Sequence, residues 1–409
     1  MSLKRELGVV GATMMGLGSI IGTGVFVSIG IAAGIAGPAV IFAIALAAFV
    51  ATCNALSSAQ LAANHPVSGG TYEYGYRYLR PWLGFSAGWL FRCAKTASAA
   101  TAALGFAGYL LNMTGYESRW LVPVAVGTVA ILTLIVLCGI RLSSQVNIVI
   151  VSITLLSLAA FVIAGAPVVS ASRLAFDIEP SSLAHATALM FVAYTGYGRI
   201  ATLGEEVRDP RRTIPRAIIS TLLVSMVVYG AVAIVAVGAA GADALQKATQ
   251  AEAAPLEVVS RLFPWRVHGL VAIGAMTAML GVLLNLLLGL SRVLLAMGRR
   301  GDMPAATANV AVSVIVVGVI IAALAATGSV KTTWSFSAFT VLIYYAVTNL
   351  AALRLSNSER LYHSAWAWCG LLACVFLAFS LDWQVWSVGL GILAIGLLWH
   401  RFQYDATTR

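Results

Sequence analysis

Long apolar stretches, separated by short polar connections with Gly or Pro, run along almost the whole chain. From Leu7 to Asn64 there is no Asp, Glu, Lys or Arg. A bilayer core takes about 20 apolar residues per helix, so this stretch predicts two membrane spans that separate near Gly37 and Pro38. The same pattern predicts twelve spans in all. They are 8–33, 38–63, 84–112, 121–140, 145–167, 185–203, 217–240, 268–297, 309–328, 333–353, 363–381 and 383–400.

The connections between the predicted spans are short, which predicts a single integral-membrane domain over residues 1–409. The first apolar run follows Lys4 and Arg5, as in a signal peptide. It is too long for one and more spans follow it, so we interpret it as an uncleaved first helix. Only 10% of the residues are charged, against roughly 25% in soluble domains. The chain is therefore expected to be a multi-pass protein of the cell's inner membrane.

The basic residues are distributed unevenly between alternate loops. With a cytoplasmic N-terminus, most Lys and Arg residues fall in cytoplasmic loops, as the positive-inside rule requires. This predicts that both termini are cytoplasmic. The net charge of +10 then reflects membrane topology, and no nucleic-acid partner is expected.

The Cys and His residues predict no metal site or cofactor. The five cysteines lie within apolar stretches, and the five histidines are scattered near the ends of spans. Neither set has the spacing of a zinc site, and no cysteine lies in an exposed loop where it could form a disulfide with an accessory chain. The sequence also lacks a P-loop for ATP. Any transport would then be driven by a gradient or by exchange.

Glycines interrupt two predicted spans near their middles, at residues 16–26 and 191–199. Unpaired backbone groups in lipid cost several kcal/mol each, so such a turn must line a cavity or bind something. Matched interruptions in two halves of a membrane protein are typical of a transporter site. Free N–H groups suit a carboxylate, and free carbonyls suit an ammonium. Close helix packing explains one glycine-rich stretch better than two at matched positions.

Four sequence stretches resemble motifs of the amino acid–polyamine–organocation superfamily. They are 18–26 (GSIIGTGVF), 66–74, 205–216 and 291–304, in the expected order. The resemblance implies an all-α LeuT-type fold with interrupted helices 1 and 6. Two inverted five-helix repeats, about 8–167 and 185–354, would precede two further helices at about 363–400. It also implies alternating access around a site at mid-membrane.

The resemblance also implies the site residues. The substrate carboxylate would meet the backbone of Gly22, Thr23 and Gly24, with the Thr23 hydroxyl as a further donor. The ammonium would meet carbonyl groups of Ile20, Val192, Ala193 or Thr195. Tyr194 and Tyr197 would be side-chain neighbours or gates, and Met276 and Met279 on the eighth span would line the pocket.

The coupling ion stays open. Several relatives place a lysine where this chain has Thr154, which could instead help to hold Na⁺. Residues 277–281 are poor in hydroxyls, which favours H⁺ or simple exchange over Na⁺. Lys95 lies within a predicted span, where a charged side chain is costly and usually indicates a functional role. A buried Lys can lose its proton, whereas Arg92 on the same helix face cannot. Both side chains could also extend to the interface.

Arg199 could pair with Glu205 or Glu206, contact an acidic substrate or close the cytoplasmic pathway. No acidic residue lies inside a predicted span, so the predicted function is secondary transport of small or neutral zwitterionic amino acids, by symport or exchange. Acidic or cationic amino acids or polyamines are the alternative, and a channel is a more distant one. The chain shows no constellation of catalytic residues. Its expected partners are the amino-acid substrate and membrane lipid, without an accessory subunit.

Overall fold

The computed structural model describes residues 8–65, 69–139, 144–176, 178–201 and 207–407. Within these ranges every regular element is helical, in agreement with the predicted all-α class. The α-helices are α1 (Val9–Ile20), α2 (Ile29–Ala36), α3 (Val40–Asn64), α4 (Thr71–Tyr78), α5 (Pro81–Thr114), α6 (Leu121–Leu137), α7 (Ser144–Gly165), α8 (Pro180–Tyr194), α9 (Gly198–Ala201), α10 (Pro210–Ala240), α11 (Ala242–Glu252), α12 (Pro255–Ser260), α13 (His268–Arg300), α14 (Val310–Ala325), α15 (Val330–Leu353), α16 (Ser364–Phe379) and α17 (Trp383–Thr407).

Many of these helices match a bilayer in length and composition. In the part of the chain that is described, seven segments are long and apolar enough to cross it: Gly24–Asn64, Ser118–Leu137, Gln145–Val168, Arg211–Ala240, His268–Arg300, Val330–Leu353 and Trp383–Gln403. Three shorter apolar helices accompany them: Val9–Ile20, Val310–Ala325 and Ser364–Phe379. The protein is thus a multi-pass membrane protein. The count of twelve spans and the inverted repeat stay predictions.

Glycine, proline and asparagine set many of the helix boundaries. Pro81 occupies the first turn of α5, where its missing N–H has no helical partner to lose. Gly115 ends that helix with φ +74°, and Gly301 ends α13 with φ +89°, backbone conformations that a residue with a Cβ rarely adopts. The Asn309 side chain accepts hydrogen bonds from the first N–H groups of α14, as a helix N-cap does.

Helix α5 lies at the centre of the molecule and packs against α13 and α15. Its contact with α15 combines small residues with paired hydroxyls. Ser98 bonds to Ser337 and Thr101 bonds to Thr333, each with 2.7 Å between the oxygens. Small side chains let membrane helices approach closely, and hydroxyls join them across the contact. These bonds hold α5 firmly to α15.

A cluster of polar and aromatic residues joins three helices at the end of α13. The hydroxyls of Tyr72 and Tyr76 on α4 donate to the Asp302 carboxylate. The Trp399 indole N–H on α17 donates to the Asp302 carbonyl over 3.0 Å. The Arg300 guanidinium stacks 4.1 Å from the centre of the Tyr76 ring, a cation–π contact. Asp302 therefore anchors α4 and α17 to α13.

We expect Asp302→Ala to lower the melting temperature of the purified protein in detergent by several degrees. Two largely buried tyrosine hydroxyls would lose their acceptor, and each such loss costs about 1–3 kcal/mol. Asp243→Ala is the matched control, because Asp243 is an exposed residue of α11. Equal melting temperatures for the two variants would show that the Asp302 contacts contribute nothing measurable.

Candidate functional site

The first interrupted helix consists of α1, a non-helical turn, a π-helical turn at Gly24–Ser28 and α2. Ile21 is extended, with φ −80° and ψ 101°, so the chain leaves the helix at this point. Among backbone hydrogen bonds outside the regular helices of the described chain, none is donated by Gly22 or Thr23. The Thr23 hydroxyl is buried and has no partner there either. The turn thus offers unused donors inside the protein.

The second interruption lies between α8 and α9, where Thr195–Tyr197 form one 3₁₀ turn. The two interruptions touch each other through glycines. A Cβ at Gly24 would lie 2.7 Å from the Cβ of Ala193, and a Cβ at Gly196 would overlap the Ser19 carbonyl oxygen. Only glycine allows such close backbone approach. The glycines that suggested the interruptions therefore also bring them together.

Tyr229 on α10 joins the two interruptions. Its hydroxyl oxygen lies 2.7 Å from the Ile20 carbonyl oxygen and 3.2 Å from that of Ala193. The side chain is fully buried, so its proton is shared between the last turns of two helices. Sequence reasoning missed this residue. The available signal was a tyrosine in an otherwise apolar span, since buried tyrosine hydroxyls usually find a partner.

A central cavity of about 40 Å³ lies between the interruptions and α5, α13 and α15. A cavity needs about 10–15 Å³ to hold one water molecule, so there is room for only a few waters. The cavity is thus small. Its lining residues are Ser19, Ile20, Thr23, Gly24, Lys95, Ser98, Val192, Ala193, Thr195, Gly196, Val282, Leu286 and Trp334.

Lys95 is the one charged residue among the described residues of this lining. Its ammonium donates to the Thr195 hydroxyl oxygen over 2.9 Å. That hydroxyl in turn donates to the Val192 carbonyl over 2.7 Å. Among the described residues Lys95 forms no salt bridge. The side chain therefore points into the cavity and contacts the second interruption.

Most of the predicted site residues meet at this cavity. Those in the lining are Ile20, Thr23, Gly24, Val192, Ala193, Thr195 and Lys95. Gly22 adjoins it, because a Cβ there would lie 2.7 Å from a Val282 methyl group. Their roles toward a substrate stay predictions.

Other predicted residues lie outside the lining. The Tyr194 hydroxyl donates to the Ile44 carbonyl over 3.3 Å, and the Tyr197 ring packs 5.4 Å from that of Tyr345. From α13, Val282 and Leu286 line the cavity in place of Met276. Met279 instead lies against Gly105 of α5.

The remaining coupling and gating candidates are also separate from the cavity. Thr154 donates to the Ile150 carbonyl over 2.8 Å. The Arg92 guanidinium contacts the Met303 sulfur at 3.3 Å and lies over the Trp89 ring. Arg199 is half-buried on α9. Its predicted partners, Glu205 and Glu206, fall outside the described residues.

Comparison with known proteins now places the chain in a family. The sequence matches the family model described as "Amino acid permease" over residues 11–408. The chain belongs to the amino acid permease family. This confirms the resemblance to the amino acid–polyamine–organocation superfamily. The permease therefore belongs to a family whose members are named as transporters.

Individual relatives of the permease carry different substrate names. An uncharacterised transporter of Mycobacterium tuberculosis is 40% identical over 97% of this chain and 90% of its own. A branched-chain amino acid permease of Bacillus subtilis is 30% identical over 76% of this chain and 70% of its own. Human cationic amino acid transporter 4 is 30% identical over 73% of this chain and 50% of its own.

Gly24→Ala should abolish uptake by the permease while the protein still folds. The added methyl would lie 2.7 Å from the Ala193 Cβ and 2.9 Å from the Tyr229 hydroxyl, so the interruptions must separate. Uptake per folded molecule in proteoliposomes measures the effect. Gly230→Ala is the control, because nothing lies within 4 Å of a Cβ there. Normal uptake by Gly24→Ala would mean that the close approach is dispensable.

The α11–α12 hairpin contacts the first interrupted helix at the far end of α13 from Asp302. The Tyr109 hydroxyl donates to the Phe26 carbonyl over 2.8 Å and accepts from the Leu256 N–H over 3.3 Å. Glu257 of α12 is fully buried and lies 3.3 Å from the Arg261 guanidinium. Burial raises the pKa of Glu257 to about 7, even though Arg261 acts to lower it. The packed hairpin therefore favours a protonated Glu257.

Amide exchange in α12 should become faster as the pH rises through about 7. Because the pKa of Glu257 is raised from 4.5 to about 7 in the packed hairpin, protonation of Glu257 stabilises the packed hairpin. This stabilisation is complete below about pH 4.5 and is lost as the pH rises through about 7. Hydrogen exchange of residues 253–262, corrected for the intrinsic pH dependence, measures this. Glu257→Gln should remove the pH effect and Asp243→Asn should keep it. A pH effect that persists in Glu257→Gln would assign it to another group.

Proposed function

We propose that this permease is a secondary active transporter that carries amino acids across the inner membrane by alternating access around the central cavity. The observation that carries the proposal is that both helix interruptions line the same cavity. Interrupted membrane helices place free backbone groups at a substrate site. A volume of about 40 Å³ must enlarge before an amino acid can fit, which agrees with a site that changes between conformations.

The bound substrate would be a zwitterion. The N–H groups of Gly22 and Thr23 and the Thr23 hydroxyl would bind its carboxylate. Carbonyls of Ile20, Val192, Ala193 or Thr195 would accept from its ammonium, each oxygen having two lone pairs. Gly24 would let the two sets approach each other.

A neutral side chain fits the remaining wall best. Val192, Val282, Leu286 and Trp334 are largely apolar, and the part of the lining that the structure describes has no Asp or Glu to pair with a cationic side chain. The relative named a branched-chain amino acid permease supports this choice. Relatives named cationic amino acid transporters represent the alternative, together with acidic amino acids and polyamines.

We further propose twelve spans with cytoplasmic termini, arranged as two inverted five-helix repeats and two final helices. The support is that α1–α2 and α8–α9 are interrupted five predicted spans apart, and that basic residues favour alternate loops. Tyr194 and Tyr197, beside the second interruption, and Met276 on α13 would then act as gates or neighbours.

For coupling we propose H⁺ in preference to Na⁺, with Lys95 as the first candidate carrier. Its support is the place of Lys95 in the cavity lining, whereas Thr154 lies outside it. Obligate exchange, which needs no ion, is the second candidate. Arg92 and Arg199 would then have structural or gating roles.

Uptake of radiolabelled leucine, alanine, glutamate, arginine and putrescine into proteoliposomes tests the proposal. We expect leucine or alanine to enter in counterflow against the same unlabelled amino acid, and empty liposomes and Gly24→Ala to show none. Inward H⁺ and Na⁺ gradients would be applied separately. Counterflow also separates a transporter from a channel, which shows no stimulation by internal substrate. If no amino acid is transported under any condition, the proposed function is wrong.

A further inference from the structure

We propose that Lys95 is the counter-ion of the substrate's carboxylate, so that the permease accepts amino acids and rejects related amines that lack a free carboxylate. This inference rests on the proposed function and identifies the chemical group that selects its substrates. It adds a side-chain charge to a site whose other donors belong to the backbone and to Thr23.

The hydrogen bonding of Lys95 is incomplete. An ammonium carries three N–H donors, and the described contacts use one of them, toward the Thr195 hydroxyl. A buried donor without a partner costs free energy, and more so when it is charged. The remaining donors face a cavity, where a bound molecule can accept from them.

The neighbouring acceptors are already engaged. The Tyr229 hydroxyl bonds to the carbonyls of Ile20 and Ala193. The Tyr345 hydroxyl donates to the Thr195 carbonyl over 3.3 Å. Among the described residues, these carbonyl oxygens offer only a second lone pair, and the Thr23 hydroxyl is the lining group that can still either accept or donate.

Unused donors predominate by comparison. They are the Thr23 hydroxyl, the N–H groups of Gly22 and Thr23, which donate no bond outside the regular helices described, and two directions of the Lys95 ammonium. A carboxylate has two oxygens with about four lone-pair sites. It is the part of an amino acid that best matches this excess, and it can bond to Thr23 and Lys95 together because both line one small cavity.

The charge balance leads to the same ligand. Among the described residues, the cavity lining contains Lys95 and no acidic residue, and Lys95 forms no salt bridge there. A buried positive charge is stabilised strongly only by a partner of opposite sign. A carboxylate supplies that partner. A polyamine, or the amide of an amino acid, would leave two positive charges facing each other.

The discriminating experiment compares amino acids with their amides in wild-type protein and in Lys95→Gln. Unlabelled leucine, leucinamide, alanine and alaninamide compete with the radiolabelled amino acid that gives the strongest counterflow. In wild-type protein we expect each amide to compete about 30-fold or more weakly than its parent. In Lys95→Gln the parent amino acid should compete about 30-fold or more weakly than in wild-type protein, while competition by the amide should change by less than about threefold. The preference for the carboxylate then disappears.

Arg92→Gln is the matched control. It removes a positive charge from the same helix, three residues away and outside the cavity lining, and it should keep the full preference. Lys95→Arg keeps the charge and should keep at least part of the preference. Lys95→Arg also tests the inference if Lys95→Gln does not give a single symmetric peak in size-exclusion chromatography. If the charge at this position had no role in recognising the carboxylate, Arg would disturb the binding of the amino acid and of its amide equally.

Two results would overturn the inference. One is an unchanged preference in Lys95→Gln, and the other is an equal loss for parent and amide in both Lys95 variants, which would indicate a structural role. Failure of the proposed function is a separate result, since it appears in wild-type protein as the absence of amino acid counterflow.

Discussion

Hydrogen bonding of the backbone in a medium without water is the constraint on which this structure depends. A membrane helix meets that constraint by itself, and an interruption does so only with help from neighbouring groups. Here the help comes from a neighbouring helix, α10, and from a side chain of the second interruption itself. The Tyr229 hydroxyl contacts carbonyls of α1 and α8, and the Thr195 hydroxyl bonds to the Val192 carbonyl one turn before it. The carbonyls are thereby paired, while several donors stay available.

This asymmetry between donors and acceptors gives the site its chemical character. A helix that begins again after an interruption presents N–H groups, and these attract negative charge. Lys95 reinforces the same sign from α5, a helix that is itself continuous. The site therefore combines the backbone and hydroxyl donors of the first interruption with a charged donor on the continuous helix α5. A zwitterion satisfies both the excess donors and the second lone pairs of the carbonyls.

The sequence predicted the helical class, the two interruptions and much of the cavity lining, because each leaves a local trace. Apolar length indicates a span, and glycines such as Gly24 and Gly196 mark places where a helix is interrupted or a backbone approaches closely. Residues that act from a distant helix leave no such trace. Tyr229 and Trp334 reach the site through tertiary packing. A tyrosine in an apolar span indicates that Tyr229 has a partner but not which residues it contacts. Met276 and Tyr194 lie outside the lining for a related reason. Residues of one helix point in different directions, and the packing of neighbouring helices decides which of them face the cavity.

The paired hydroxyls between α5 and α15 have a mechanical consequence. Ser98 with Ser337, and Thr101 with Thr333, close two bonds about one helical turn apart, so the two helices resist sliding and behave as one strut. Lys95 lies one turn from Ser98 on that strut. The segment that carries the donors of Gly22 and Thr23 is joined to α5 further along, by the hydrogen bond from the Tyr109 hydroxyl to the Phe26 carbonyl. Any movement of the interrupted helices changes the distance between the Lys95 charge and those donors. The electrostatic attraction for an anion would then differ between conformations, and a bound carboxylate would perform work on the protein as that distance shortens.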